Sequence, residues 1–317
     1  MRSAAILALT GGGILARFTT RVLEDLQAQR DEMAGAASAQ APMAEAFDLL
    51  AGTSAGALCV AGLLAGRSPE QLSRLLDAHG PKIFPGTGLW RRLRWIVTSK
   101  YAPAPLHAAL DEVLGGWNPR LGDLDHKVVF PALDETEGRA ILFTNANPAH
   151  HDVRLRDAAL ASAAAPSYFP AHRIEALGRR YVDGGLFANA PDLAALTVAR
   201  RLWPELLLSD IHILSIGTTR NDAGSPYGED HPGARGLASW MLRPPARMLK
   251  LAMSSQVDHA VALLPELRLA DFIRLDADLD GAGQRIELDT ATPDALRTLT
   301  DNGAAAVSSL PRTSARG

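Results

Sequence analysis

A serine flanked by glycines has the setting in this sequence that best suits nucleophilic chemistry. Ser54 lies at the centre of the pattern GTSAG, residues 52–56, between a short apolar run and an apolar segment of helical length. A G-x-S-x-G turn between a strand and a helix holds its serine on a sharp bend at a helix N-terminus, where partial positive charge favours a developing alkoxide. The pattern therefore predicts Ser54 as a nucleophile, while a plain glycine-rich turn would show the same five letters.

A glycine triplet follows the first apolar run of the chain. Gly11, Gly12 and Gly13 come directly after Ala4–Leu9. Successive backbone N–H groups on such a loop can converge on an anion, and an acyl-transfer oxyanion needs two or three such donors. The triplet also nearly matches the dinucleotide fingerprint as G-x-G-x-x-A, but no convincing acidic partner follows a second strand about 20 residues further on.

An aspartate far along the chain opens a second glycine turn. Asp183 precedes Gly184 and Gly185 and follows the apolar pair Tyr181 and Val182. Taken alone, an aspartate in this setting is most often a turn former.

The glycine triplet, the serine turn and the aspartate turn, in this order, resemble the pattern of the patatin-like phospholipase family. Residues 157–170 and 181–191 resemble the stretches around that family's aspartate, and residues 213–219 resemble one of its later strands. The likeness extends over residues 4–219, with a weaker echo up to Leu279.

The resemblance implies a Ser–Asp dyad that works without histidine, with Ser54 as nucleophile and Asp183 as general base. The backbone amides implied for the oxyanion hole are those of Gly11, Gly12, Gly13 and Ala55. The supporting positions of the two turns are Gly52, Gly56, Gly184 and Gly185. The implied activity is hydrolysis of acyl esters of lipids or phospholipids with release of fatty acid, and it uses neither a metal nor an organic cofactor. The implied fold is a three-layer α/β/α sandwich with a mostly parallel central sheet.

Residues beside the glycine triplet depart from the family pattern. Leu15 and Ala16 stand where the family usually has a basic residue and then a glycine, and Thr10 stands where many relatives have aspartate. Arg17 is a poor replacement, because one helical step turns a side chain by about 100° around the axis. A decayed hydrolase retained as a binding or effector module is therefore one alternative, which the intact serine and aspartate oppose.

A Ser–His–Asp carboxylesterase of the α/β-hydrolase type is a second alternative, because its residues occur in the order Ser, Asp, His. His212, His231 and His259 all follow Asp183. His212 lies in a predicted strand and His231 in a polar loop, where surface or core roles are the commoner ones.

Strands and helices alternate along the chain, which predicts a mainly parallel sheet with helices on both faces. We expect strands at Ala4–Leu9 and at residues 47–50, 127–133, 139–144 and 210–216. We expect helices at residues 17–29, 57–64, 70–79, 105–114 and 155–164 and at Asp192–Leu202. A single domain is expected over residues 1–303, with its core at 4–219 and a helical extension at 235–303, followed by a disordered tail at 304–317.

Composition limits the partners. The formal net charge of −3 provides no global basic field, so no nucleic-acid partner is expected. The single cysteine, Cys59, excludes an internal disulfide and is expected to be a small buried hydrophobe. No apolar stretch nears the roughly 18 residues that span a bilayer, and the N-terminal run has no clear cleavage site after it. A cytoplasmic location is therefore expected.

Tryptophan and arginine occur together in residues 89–97 and again in residues 240–250. Such segments suit a lipid–water interface, which predicts peripheral contact with the inner membrane surface; the alternative is that they cover the core with their arginines extended. His150, His151 and Asp152 invite a metal-site interpretation, but adjacent side chains point apart and nothing nearby completes a tetrahedral set, so no metal is expected.

Overall fold

The computed structural model describes residues 2–34, 41–86, 98–220, 247–279 and 286–310. Within these residues, eight strands form one sheet. They are β1 (Ala4–Leu9), β2 (Leu49–Gly52), β3 (Lys127–Asp134), β4 (Arg139–Phe143), β5 (His172–Ile174), β6 (Arg179–Asp183), β7 (Ile211–Ile216) and β8 (Asp271–Leu275). The helices are α1 (Ala16–Ala34), α2 (Ala55–Leu64), α3 (Pro69–Ile83), α4 (Ala104–Leu114), α5 (Leu155–Ala163), α6 (Gly185–Ala188), α7 (Asp192–Leu202), α8 (Arg247–Leu263) and α9 (Pro293–Ser308).

The strand order is β5-β6-β3-β2-β1-β7-β8, with β4 also paired to β3. From β3 to β8 the strands of this path are parallel, and β4, β5 and β6 join the sheet by antiparallel pairing. Since the loops after parallel neighbours emerge at the same edge of a sheet, the glycine triplet after β1 and the serine turn after β2 lie side by side.

β3 extends past the end of β2, and this extension positions the aspartate. Val129 of β3 pairs with Ala51 of β2, three residues before Ser54. Three residues further along β3, Ala132 pairs with Asp183 at the end of the antiparallel β6. β6 therefore runs back along the free part of β3 and stops at the level of the serine turn.

Alternate side chains of β1 enter two separate apolar clusters. Leu7 and Leu9 pack with α1 to α5 and α9 on one face of the sheet. Ile6 and Ala8 pack with α7 and the turn after α8 on the other. All four side chains are fully buried, as expected for a strand covered by helices on both faces. The predicted three-layer sandwich with a mostly parallel sheet is confirmed.

The C-terminal region differs from the prediction in two ways. The expected helical extension contains β8, an edge strand that pairs with β7; its short alternating sequence DFIRL gives a weak strand signal. The expected tail at residue 304 begins inside α9, which continues to Ser308 because Ala306 and Val307 are buried in the core. The boundary of a single domain at residue 303 stays a prediction.

Several predicted features lie outside the described residues, namely residues 89–97, residues 240–246 and His231. Among the helices that the structure describes, none is both long enough and apolar enough to cross a membrane.

Phe130 is fully buried where β3 leaves β2. Phe130→Ala removes a core aromatic ring and leaves a cavity, so we expect the free energy of unfolding to fall by about 3–5 kcal/mol. Urea denaturation followed by circular dichroism measures this loss. Arg180→Ala on β6 is the control, because an exposed substitution of this kind stays within about 0.5 kcal/mol. Equal effects of the two substitutions would contradict the described core.

Candidate active site

The serine turn is a strained bend between β2 and α2. Ser54 has φ 54° and ψ −123°, a backbone conformation that non-glycine residues rarely adopt. Its N–H donates to Ser162 Oγ at 3.2 Å, and the Gly56 N–H donates to the Thr53 carbonyl at 2.8 Å. The bend therefore presents the Ser54 side chain at the start of α2, as the pattern predicts.

Close backbone approach explains both glycines of this turn. A Cβ at Gly52 would lie 2.4 Å from the Gly56 carbonyl oxygen, and one at Gly56 would lie 2.3 Å from the carbonyl oxygen of Leu9. Since backbone atoms cannot move aside as a flexible side chain can, the two positions exclude larger residues. The turn is thus pressed against the end of β1, which carries the glycine triplet.

Asp183 is held at the end of β6 by backbone contacts. Its N–H donates to the Ala164 carbonyl at 3.0 Å, and its Oδ1 accepts the Gly185 N–H at 2.7 Å. Gly184 is required next to it, because a Cβ there would lie 2.2 Å from the Pro131 carbonyl oxygen. Asp183 and Ser54 line the same cavity, and the Ser54 side chain lowers the pKa of the carboxyl as a hydrogen-bonding neighbour.

Burial changes the acidity of this carboxyl. Asp183 is 3% exposed, and burial raises its pKa to about 6, although hydrogen bonds from Ser54 and from the Gly185 amide stabilise the ionised form and act in the opposite direction. Asp183 is therefore a stronger base than an ordinary aspartate and still ionises near neutral pH.

The glycine triplet divides into one structural residue and two that face the site. The Gly11 N–H donates to the Asn189 carbonyl at 3.0 Å, so the prediction of Gly11 as an oxyanion donor is wrong. Gly12 and Gly13 line the same cavity as the serine, and so does Ala55. Within the described part of the chain, none of these three amides donates a hydrogen bond to another backbone group of the loops.

Three short polar side chains join the loops and were not predicted from the sequence. Asn189 Nδ2 and Thr218 Oγ1 donate to the Gly11 carbonyl at 3.2 Å and 3.3 Å. Thr53 Oγ1 donates to the Ala188 carbonyl at 2.7 Å. All three residues are buried. Their only signal in the sequence is a small polar residue in an otherwise apolar stretch beside a motif.

Arg17 does not replace the basic residue that the family usually has where Leu15 stands. The Arg17 guanidinium contacts Asp77 at 3.1 Å and Ser73 at 2.9 Å on α3, and Leu15 is buried in the core. Thr10 accepts a hydrogen bond from Arg274 at 2.9 Å, so it is part of the sheet's support.

An open cavity lies over the serine. Ser54, Asp183 and Gly185 line it, together with mainly apolar side chains from α2, α3, α4, α8 and the loops. The polar or charged side chains among its lining residues are those of Ser54, Asp183 and Tyr168, and the rest of the wall consists of glycine, alanine, proline, methionine, leucine, isoleucine and phenylalanine. Such a cavity suits a ligand with a hydrocarbon chain.

The described histidines that follow Asp183 lie away from this cavity. His212 on β7 contacts Asp271 at 3.0 Å, and His259 is exposed on α8. Among the residues that the structure describes, no group of three or more His, Cys, Asp or Glu side chains could hold a metal ion.

Replacing the buried carboxylate should stabilise the protein. Because the pKa of Asp183 is raised in the folded state, its proton stabilises the fold, and this contribution is lost as the pH rises through about 6. We therefore expect Asp183→Asn to raise the free energy of unfolding at neutral pH by up to about 3 kcal/mol. Denaturant titrations of both proteins at neutral pH and near pH 4 measure this difference, which should shrink at the lower pH. A loss of stability at neutral pH would contradict the raised pKa.

Comparisons with known proteins identify the family of this chain. A family model described as Patatin-like phospholipase matches residues 7–196. A cGAMP-activated phospholipase of Pseudomonas aeruginosa is 32% identical over 94% of this chain and 86% of its own length. Proteins of the same description from Vibrio cholerae and Escherichia coli are 31% and 30% identical, over 94% of this chain and 88% and 87% of their own lengths. Because these matches extend over most of both chains, the chain belongs to the patatin-like phospholipase family and is a hydrolase that acts on lipids.

Proposed function

We propose that this enzyme hydrolyses acyl esters of phospholipids through a Ser54–Asp183 dyad. The observation that carries the proposal is the buried Asp183 carboxylate beside the Ser54 hydroxyl, at the wall of an apolar cavity. An activated serine needs a base within hydrogen-bonding reach, and the raised pKa brings this carboxylate close to the range in which a general base is effective.

In the first half of the proposed reaction, an Asp183 oxygen takes the Ser54 hydroxyl proton as Ser54 Oγ attacks the ester carbonyl carbon. The carbonyl oxygen becomes an oxyanion, and the amides of Gly12, Gly13 and Ala55 donate hydrogen bonds to it. When the bond to the leaving alcohol breaks, Asp183 returns the proton to the alcohol oxygen. The product at this stage is an acyl group attached to Ser54.

In the second half, water replaces the alcohol. Asp183 takes a proton from a water molecule as the water oxygen attacks the acyl carbon. The amides of Gly12, Gly13 and Ala55 donate hydrogen bonds to the second oxyanion. The bond to Ser54 Oγ then breaks, Oγ recovers the proton, and the fatty acid leaves. Each step uses groups of this chain and water alone.

The two alternatives have weaker support. A triad needs a histidine at the carboxylate, and His212 is engaged with Asp271. A decayed site needs no strained serine and no buried base, yet both are present in this chain. Covalent labelling of Ser54 by a fluorophosphonate distinguishes an active site from a decayed one.

Removing either member of the dyad should abolish hydrolysis. We expect Ser54→Ala and Asp183→Asn each to lower kcat/KM by roughly a thousandfold or more on a short p-nitrophenyl ester and on phospholipid vesicles. Because Asp183 must be ionised to accept the proton, kcat/KM should decline as the pH falls through about 6.

The histidine variants His212→Ala, His231→Ala and His259→Ala provide the control for this experiment. Under the proposed mechanism each retains the wild-type rate on the short ester. A large loss in any one of them would favour a triad, and a retained rate in Ser54→Ala or Asp183→Asn would exclude the dyad.

We also propose that a cyclic dinucleotide activates this enzyme. The support is that three relatives at about one-third identity over nearly the whole chain are described as cGAMP-activated phospholipases. A ligand activates only by binding the active conformation more tightly, and typical couplings of this kind change an equilibrium by roughly 5- to 150-fold.

Addition of cGAMP should therefore raise the rate of phospholipid hydrolysis by about tenfold or more. The measurement is fatty acid release from vesicles with and without cGAMP, and the linear dinucleotide of guanosine and adenosine serves as the matched nucleotide control. An equal rate under all three conditions would remove cGAMP as the activator and leave the dyad untouched.

A further inference from the structure

The glycine loop after β1 is held at both of its ends. The Gly11 N–H donates to the Asn189 carbonyl at 3.0 Å, and the Ile14 N–H donates to the Leu288 carbonyl at 2.9 Å. Between these two points, the N–H groups of residues 12 and 13 donate to no other backbone group of the described loops. The amides proposed for the oxyanion hole therefore lie between two fixed points, and the second of these is supplied by a residue far along the chain.

Leu288 contacts both the glycine loop and the cavity over the serine. A Cβ at Gly13 would lie 2.3 Å from the Leu288 carbonyl oxygen, and the φ of 55° at Gly13 favours glycine as well. Leu288 also lines the cavity. It lies at the centre of residues 287–289, which we call the strap. Two hydrogen bonds between Glu287 and Thr290, at 2.9 Å and 3.1 Å, close the strap into a turn.

An ion pair holds each end of the strap. Glu287 pairs with Lys250 of α8, and Asp289 pairs with Lys100. Asp289 Oδ2 also accepts the Tyr101 hydroxyl at 2.8 Å. The two side chains of the second pair are 14% and 11% exposed, and those of the first are 30% and 40% exposed. Because loss of one partner costs more in a buried ion pair than in an exposed one, Asp289 is the stronger anchor.

The residues that bind Asp289 are joined to the wall of the cavity. The Lys100 N–H donates to the Ser167 carbonyl and the Tyr101 N–H donates to the Tyr168 carbonyl, both at 2.8 Å. The Lys100 ammonium also lies 5.4 Å and 5.3 Å from the ring centroids of Tyr101 and Tyr168. Tyr168 lines the cavity over the serine. Asp289 therefore connects the strap to the loop after α5, which forms part of that wall.

We propose that Asp289 is a positioning residue for the proposed ester hydrolysis. Through its contact with Lys100 it keeps the Leu288 carbonyl on the Ile14 N–H, and so fixes the direction in which the loop amides point. The inference rests on the proposed function, because it takes these amides as oxyanion donors. Hydrogen bonds to the oxyanion act mainly in the transition state, so movement of the loop should slow the chemical step and leave substrate binding largely unchanged.

The first test is hydrolysis of p-nitrophenyl butyrate by Asp289→Asn. This substitution keeps an oxygen that can accept the Tyr101 hydroxyl, but it removes the charge that pairs with Lys100. We expect kcat to fall by about tenfold or more, because a small misplacement of catalytic groups is costly, while KM stays within about twofold. Asp294→Asn is the matched control and should keep the wild-type kcat, since this exposed carboxylate pairs with Arg297 on α9.

Lys100→Met tests whether the two residues act through one contact. It should lower kcat by about the same factor as Asp289→Asn, and the double variant should lower kcat no further, because loss of either partner already breaks the pair. Multiplied effects in the double variant would show independent actions and overturn the proposal. A wild-type kcat in Asp289→Asn would overturn it too, and so would a raised KM with an unchanged kcat.

A transition-state analogue separates a displaced oxyanion hole from a general loss of structure. With butyl trifluoromethyl ketone, Ser54 Oγ adds to the carbonyl carbon, Asp183 takes the hydroxyl proton, and the carbonyl oxygen becomes an oxyanion. In Asp289→Asn the inhibition constant should rise by about the factor by which kcat/KM falls. An unchanged inhibition constant beside a reduced kcat would place the defect away from the oxyanion and overturn the proposal.

Tyr101→Phe is a milder variant that keeps every charge and removes one hydrogen bond to Asp289. It should lower kcat on the same ester by about threefold, and an unchanged kcat would contradict the anchoring role. A retained rate in Ser54→Ala would instead contradict the proposed function. If Ser54→Ala is inactive and Asp289→Asn has the wild-type rate, the dyad stands and the positioning role alone is excluded.

Discussion

The site depends on keeping one carboxylate out of water while it remains within reach of a serine hydroxyl. Burial of Asp183 raises its pKa to about 6, and in the proposed mechanism this makes the aspartate a useful base near neutral pH. The cost of burying a carboxylate is offset in part by the Gly185 amide at 2.7 Å and by the Ser54 hydroxyl. The surrounding structure serves to maintain this balance, because a wetter site would return the carboxyl to its ordinary acidity.

Close backbone packing keeps the loops around Asp183 and Ser54 in place. Gly52, Gly56 and Gly184 each lie where a Cβ would approach a carbonyl oxygen within 2.4 Å. The loops are thus in direct backbone contact, and hydrogen bonds from Thr53 and Asn189 join them across the sheet edge. A site assembled in this way needs little rearrangement when charge develops on the substrate, which is the basis of electrostatic catalysis.

The apolar cavity over Ser54 affects both the pKa of Asp183 and the binding of the proposed substrate. Leu58, Leu76 and Ile83 line the cavity over the serine, and Asp183 lines the same cavity. Under the proposed function, an acyl chain in this cavity would lie against the same apolar side chains that surround Asp183.

The local motifs could be predicted from the sequence alone. The positions of Ser54 and Asp183 follow from short glycine patterns after apolar runs, and alternating strands and helices predict the parallel sheet. These features are determined by sterics and periodicity within a few residues. The short edge strand β8 and the end of α9 were misjudged, because the first has a weak pattern and the second depends on burial of Ala306 and Val307 against distant helices.

Only the tertiary structure decided which groups meet. The Gly11 N–H donates to the Asn189 carbonyl, 178 residues further along the chain. No local pattern in the sequence reveals such a contact. The level of Asp183 relative to Ser54 depends on how far β3 extends past β2 and on the register of β6 against it. The sequence by itself determined the chemical groups and the elements that carry them, because those depend on neighbours in the chain. The pKa of Asp183, the hydrogen bonding of the loop amides and the cavity over Ser54 depend on neighbours in space, and so required the fold.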